Sequence, residues 1–120
     1  MIVVWDSRTG NVERFVNKLE GIEKVKIHND IIVDEPFVLI TYTTGMGKVP
    51  QSTLDFLEHN HQHMLGVACS GNRNWGDSYA RAADIISQKY NVPILLRFEL
   101  SGLSSDVNSL MERLRQFEAH

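Results

Sequence analysis

Three clusters of small, hydrogen-bonding residues stand in this chain where a short apolar run gives way to a helical pattern, and all three could serve one ligand. Ile2–Trp5 leads into Asp6, Ser7, Arg8, Thr9, Gly10 and Asn11; Phe37–Tyr42 leads into Thr43, Thr44, Gly45, Met46 and Gly47; residues 65–69 lead into Ser70, Gly71, Asn72, Arg73, Asn74, Trp75 and Gly76. In the first cluster, Ser7, Thr9 and Asn11 are alternate hydroxyl or amide side chains around Gly10. They come directly before a helical pattern, and the first N–H groups of a helix have no partner within it. A phosphate can accept those N–H groups and gain from the helix dipole, while the hydroxyls satisfy its remaining lone pairs. The same residues also suit a well-capped turn with no ligand. In the second cluster the glycines can present backbone groups at close range. In the third, Trp75 can cover one face of a planar ring or pack against the helix that follows; its neighbours Asn72, Asn74 and Gly76 favour an exposed loop. Taken together the clusters suit a phosphorylated, flat, aromatic ligand.

Such loops act together only if the fold brings them to one place. Val12, Phe15, Val16 and Leu19 recur at helical spacing, so the first loop opens an amphipathic helix expected to end near Gly21. Val25 and Ile27 alternate with Lys24 and Lys26, as in a half-exposed edge strand. Phe37 to Ile40 has no polar break and reads as a central strand. Pro50 suits a first helical turn, with Leu54 and Leu57 on one face of the helix that follows. Asp77 is placed to cap a third helix carrying Tyr79, Ala83, Ile86 and Tyr90. Pro93 precedes a fifth strand over 94–98, and Val107, Leu110, Met111, Leu114 and Phe117 mark a terminal helix. This alternation predicts an α/β domain over 1–120: a five-stranded parallel sheet, order 2-1-3-4-5, with helices on both faces. In that order the loops after strands 1, 3 and 4 surround one crevice at the point where the strand order reverses. The stretch 29–36 is too short for a helical crossover but can extend roughly 26 Å, so an irregular crossover is expected, with a short extended segment at Ile31, Ile32 and Val33.

Composition narrows the function classes. The chain has 120 residues, 42% of them apolar, and a formal charge of −3, without the basic stripe that a nucleic acid or an anionic membrane needs. Cys69 is the only cysteine, which excludes an internal disulfide and a zinc finger and suits a reducing cytoplasm. No apolar stretch approaches the roughly 20 residues of a membrane span, and the apolar start is too brief for a signal peptide. A soluble cytoplasmic protein is expected. His59, His61 and His63 could chelate a metal but fall where a helix ends and histidine suits the dipole, so no metal site is assigned. Cys69 is expected to be a small buried strand residue.

The residues resemble a known family. Ser7 to Asn11 is similar to the phosphate loop of flavodoxins. The runs Thr41-Tyr42-Thr43-Thr44-Gly45, Ser70-Gly71-Asn72-Arg73-Asn74-Trp75-Gly76-Asp77 and Phe98-Glu99-Leu100-Ser101-Gly102 resemble the NrdI proteins, flavodoxin-like activators of class Ib ribonucleotide reductase, across essentially the whole chain. The resemblance implies FMN as cofactor, with Ser7, Arg8, Thr9, Gly10 and Asn11 at its phosphate. Thr43, Thr44, Gly45, Met46 and Gly47, with Ser70, Gly71, Asn72, Asn74, Trp75 and Gly76, then lie beside the flavin ring. It also implies that the reduced flavin reacts with oxygen to supply a superoxide-type oxidant for dimanganese-tyrosyl radical assembly in the small reductase subunit; an unidentified flavin reductase or other electron donor is expected as a second partner. Leu103 stands where a small hydroxyl residue is more typical, and 99–102 are assigned no role.

Electrostatics bear on the choice of chemistry. Electron-carrying flavodoxins resemble one another in strong acidity, which disfavours the anionic reduced flavin; this chain is only mildly acidic. Arg8, Lys48 and Arg73 lie in or beside the three loops, where positive charge favours an anionic flavin and an anionic oxygen product; Lys48 and Arg73 are the candidates for steering partner or oxidant. Rival classes fail at particular residues. A response-regulator domain needs an Asp where Tyr42 and Thr43 stand. A P-loop ending at Gly47 and Lys48 needs glycine for Tyr42 and Ser or Thr for Val49, and a C-x5-R phosphatase needs arginine at Trp75. A general flavodoxin carrying single electrons and a non-redox nucleotide-binding module remain as alternatives.

Overall fold

The computed structural model describes residues 1–28 and 30–118. Strands β1 (Ile2–Trp5), β2 (Lys24–Lys26), β3 (Phe37–Tyr42), β4 (Met64–Gly71) and β5 (Ile94–Glu99) alternate with helices α1 (Asn11–Val16), α2 (Gln51–Asn60), α3 (Arg81–Tyr90) and α4 (Ser104–Glu118). The sheet is wholly parallel, in the order β2-β1-β3-β4-β5. Because side chains alternate across a strand, each central strand feeds both faces. Val4, Leu39, Val67 and Cys69 pack with Phe56 and Leu57 of α2 and Ala83 and Ile86 of α3. Val3, Val38, Ile40 and Ala68 pack with Phe15 of α1 and Leu110 and Leu114 of α4. Phe15 and Phe98 stack at 4.0 Å between ring centroids. Such two-sided burial is why β1 and β3 read as unbroken apolar runs.

Three local expectations are corrected. Helix α1 stops at Val16 rather than near Gly21, since Lys18 N–H donates to Phe15 O at 3.0 Å and Leu19 N–H to Val16 O at 3.0 Å, tightening the chain to three-residue turns. Leu19 stays fully buried through that tightening. Helix α3 begins at Arg81, and Asp77 does not cap it: residues Arg73–Ser78 form tight turns kinked at Gly76, and Ala80, at φ 50°, is the N-cap. The chain doubles back so closely that a Cβ on Gly71 would stand 2.5 Å from Ala80 N. Finally, Ile31 to Val33 form no strand. The Asn60 side chain takes the place of a neighbouring strand, its Oδ1 accepting from Val33 N at 2.7 Å and its Nδ2 donating to Ile31 O at 3.1 Å and Phe56 O at 2.8 Å. Asn29, where this crossover was expected to begin, lies outside the described residues. No helix among them is long and apolar enough to cross a membrane.

Candidate functional site

The carboxyl ends of β1, β3, β4 and β5 open onto a cleft of about 330 Å³. Of the residues singled out by sequence, Ser7, Arg8, Thr9, Asn11, Thr43, Thr44, Gly45, Ser70, Gly71, Asn72 and Trp75 line it. Gly10, Met46, Gly47, Asn74, Gly76, Lys48 and Arg73 belong to the same loops but do not line the cleft. Tyr42, Val12 and Leu100 line it without having been singled out.

Each wall has a local cause. Gly10, at φ 91°, turns the first loop into α1, and Glu13 N–H points at Ser7 Oγ from a long 3.4 Å. The second loop is a closed hairpin: Thr44 N–H donates to Lys48 O at 2.9 Å and Lys48 N–H to Thr44 O at 2.7 Å, with Gly45 at φ 57° and Gly47 at φ 91° making the turn. Met46 at its tip is 84% exposed. In the third loop Asn72 Oδ1 accepts from Asn74 N at 2.9 Å, and Trp75 stands 44% exposed rather than packed into α3. The loop after β5, expected to have no role, is tied into the site. Ser70 Oγ donates to Leu100 O at 2.6 Å, Leu100 N–H donates to Gly71 O at 3.0 Å, and Arg73 N–H donates to Glu99 Oε2 at 3.1 Å. These bonds hold Leu100 at φ 53°, a backbone that costs a branched residue about 1–2 kcal/mol, with its side chain at the cleft.

Beneath the first two loops lies a buried carboxylate. Asp6 Oδ2 accepts from Ser52 Oγ at 2.5 Å and Thr53 Oγ1 at 2.8 Å, and Thr53 Oγ1 is 2.8 Å from Thr41 Oγ1. Ser52 and Thr53 are in the first turn of α2, so that helix begins against the Asp6 side chain. Burial, then the Asp6 charge, pushes the Tyr42 phenol above its ordinary value, with Arg8 and Ser52 acting the other way. Tyr42 therefore meets the cleft as a neutral hydrogen-bonding group. The Cys69 thiol is pushed up to about 12, chiefly by burial, and lies 3.2 Å from Thr43 Oγ1; it is no nucleophile. His61 Nδ1 is 2.9 Å from Leu57 O, and among the described residues no cluster of three metal-ligating side chains forms.

A neutral and weakly cationic cleft of hydroxyls, amides and backbone groups, with one half-exposed indole, can hold an anionic group at one end and a planar ring at the other. The family described as NrdI Flavodoxin like matches residues 3–112. Protein NrdI of Bacillus licheniformis is 53% identical over 95% of this chain and 87% of its own length. The SPbeta prophage-derived protein NrdI of Bacillus subtilis is 41% identical over 98% and 94% respectively. Among solved structures, oxidised Flavodoxin 1 from Bacillus cereus superposes with a TM-score of 0.72 at 21% identity, covering 99% of this chain and 97% of that one.

Proposed function

The chain belongs to the NrdI flavodoxin-like family, and from that premise we propose that it is an FMN flavoprotein that delivers an oxidant to the small, dimanganese subunit of a class Ib ribonucleotide reductase. The observation that carries this reading is the convergence of three loops on one cleft, with hydroxyl and amide groups at Ser7, Thr9 and Asn11 and an exposed indole at Trp75. A cleft of about 330 Å³ is of the size small-molecule cofactors use. The only glycine in the loop after β1 is Gly10, whereas a dinucleotide site there would carry G-x-G-x-x-G.

On this reading Ser7, Arg8, Thr9, Gly10 and Asn11 would hold the terminal phosphate, and the loop 43–47 with Ser70, Gly71, Asn72, Asn74, Trp75 and Gly76 would hold the ring. The chemistry that FMN would supply there, once reduced, is one-electron reduction of dioxygen to a superoxide-type oxidant for the partner's metal site and its tyrosyl radical. Trp75 keeps water from one side of the ring. The hairpin closed between Thr44 and Lys48 would lie on the other side, and oxygen would reach the ring past it. Arg8, Lys48 and Arg73 place positive charge around the loops, where an anionic product is favoured. A flavin reductase in a reducing cytoplasm is the expected electron source.

The deciding experiment reduces the FMN-loaded protein without air, adds the manganese-loaded small subunit from the same organism, and admits oxygen. Tyrosyl radical is expected by electron paramagnetic resonance with the reduced protein and not with the oxidised one. No radical above a flavin-free control, with bound manganese verified, overturns the activator reading and leaves a general single-electron flavodoxin. Failure to bind FMN at all leaves a non-redox nucleotide-binding module.

A further inference from the structure

Behind the cleft, three side chains close a ring that joins the first turn of α1 to the loop after β5. Arg14 Nη2 donates to Asn11 Oδ1 at 2.6 Å, Arg14 Nε donates to Ser101 Oγ at 2.9 Å, and Ser101 Oγ donates to Asn11 Oδ1 at 3.0 Å. The directions are forced by chemistry. A guanidinium has donors and no acceptor, so the Asn11 atom facing it must be the oxygen. Since Arg14 Nε fills a lone pair on Ser101 Oγ, the hydroxyl hydrogen is available to Asn11, and the Asn11 oxygen receives two donors.

The frame around this ring is fixed. Lys18 Nζ donates to Ser101 O at 3.1 Å and to Gly102 O at 3.2 Å. Gly102, at φ 74°, approaches so closely that a Cβ there would stand 2.7 Å from Phe15 Cδ2. Gly10 likewise leaves room for the guanidinium, since a Cβ there would stand 2.8 Å from Arg14 Nη1. Asn11 lines the cleft, whereas Arg14 and Ser101 do not.

Building on the flavin reading above, we propose that Arg14, acting with Ser101, is a positioning residue that locks the Asn11 amide with only its N–H2 group turned to the cleft, and so makes the site select a phosphorylated flavin over an unphosphorylated one. An unlocked amide can turn its oxygen outward, which repels a phosphate. A phosphate only accepts hydrogen bonds at neutral pH, so it needs the N–H2 end. The terminal hydroxyl of riboflavin can donate or accept and is indifferent to the orientation. Locking therefore raises affinity for FMN without raising affinity for riboflavin.

Dissociation constants for FMN and for riboflavin, measured by calorimetry on the full chain, test this. Arg14→Met and Ser101→Ala should each weaken FMN about five- to tenfold and shift riboflavin less than about twofold. Ser101→Ala keeps the arginine charge, so its loss is not a field effect. In an Asn11→Ala background, adding either substitution should cost less than about twofold, because the group being positioned is gone. If the losses add in full in the double variants, the side chains do not act through Asn11 and the proposal falls. Equal losses for FMN and riboflavin overturn it too, as general loosening of the loop. Thermal melting checks folding, and if Arg14→Met melts early the Ser101→Ala and Ser101→Ala/Asn11→Ala pair carries the same comparison. A wild-type protein that binds neither flavin overturns the flavin reading, and this inference with it; every other failure leaves that reading standing.

Discussion

Thr9 lines the cleft with Ser7, and on the proposed reading its hydroxyl would give a bound phosphate one charge-assisted hydrogen bond. Thr9→Val keeps the shape and removes the hydroxyl, so FMN affinity is expected to fall by about 1.5–3 kcal/mol in a calorimetric titration. Trp75 and Trp5 offer an internal comparison: Trp5 is buried on β1 while Trp75 stands at the cleft. FMN binding should quench chiefly Trp75, and an unchanged quenching amplitude in Trp75→Phe would show that the indole is not the stacking partner. Cys69 belongs to the stability side. Its thiol ionises near 9.0 when unfolded and at about 12 when folded, so the neutral thiol's contribution is complete below pH 9 and is lost as pH rises toward 12. Each unit of that gap is worth about 1.4 kcal/mol. Urea midpoints should therefore fall faster above pH 9 in the wild type than in Cys69→Ala, and iodoacetamide should label Cys69 only on unfolding.

Elements differ in how far local sequence dictates them. The buried runs Ile2–Trp5 in β1 and Phe37 to Ile40 in β3 and the helical spacing in α4 follow from patterns within each segment, and the strand order follows from the alternation of those segments. The candidate cleft is legible to the same extent: the loops after β1, β3 and β4 are placed by their strand ends, and residues of all three line it. Tyr42 and Leu100 obey that rule as well, the first ending β3 and the second following β5, but neither is a residue type that advertises a binding loop. What stays hidden in the sequence depends on contacts made elsewhere. The late start of α3 follows from the close pass of Gly71 by Ala80, and the irregular crossover is held by Asn60, 27 residues away from Val33 in the chain. Asn60→Ala should thus cost about 1–3 kcal/mol in denaturant unfolding, since it leaves the buried Val33 N–H without its acceptor and removes the donor to Ile31 O. A loss below about 0.5 kcal/mol would mean that water replaces the amide and the crossover is not anchored there.

Across the whole molecule, the sheet's carboxyl edge gathers what a docking partner would meet. Met46, Trp75 and Leu100 are exposed apolar groups around the cleft, and Lys48 and Arg73 flank them with positive charge on a chain whose net charge is −3. A reactive oxygen species survives transfer only through an enclosed path, so on the proposed reading the reductase subunit seats over these loops and seals them. Arg73 lies over the Tyr79 ring at 5.5 Å, and neither it nor Lys48 is among the residues assigned to the cofactor, so an FMN titration of the same variant separates an effect on docking from one on the cleft. The double variant Lys48→Glu/Arg73→Glu should bind the small subunit about tenfold more weakly at low salt, with FMN affinity within about twofold of the wild type. Because exposed charges are screened beyond about 10 Å at 0.1 M salt, that deficit should shrink as ionic strength rises. Binding measured across a salt series decides the point: parallel curves for variant and wild type would show that these two residues do not steer the partner, whereas converging curves place them at the rim of the interface.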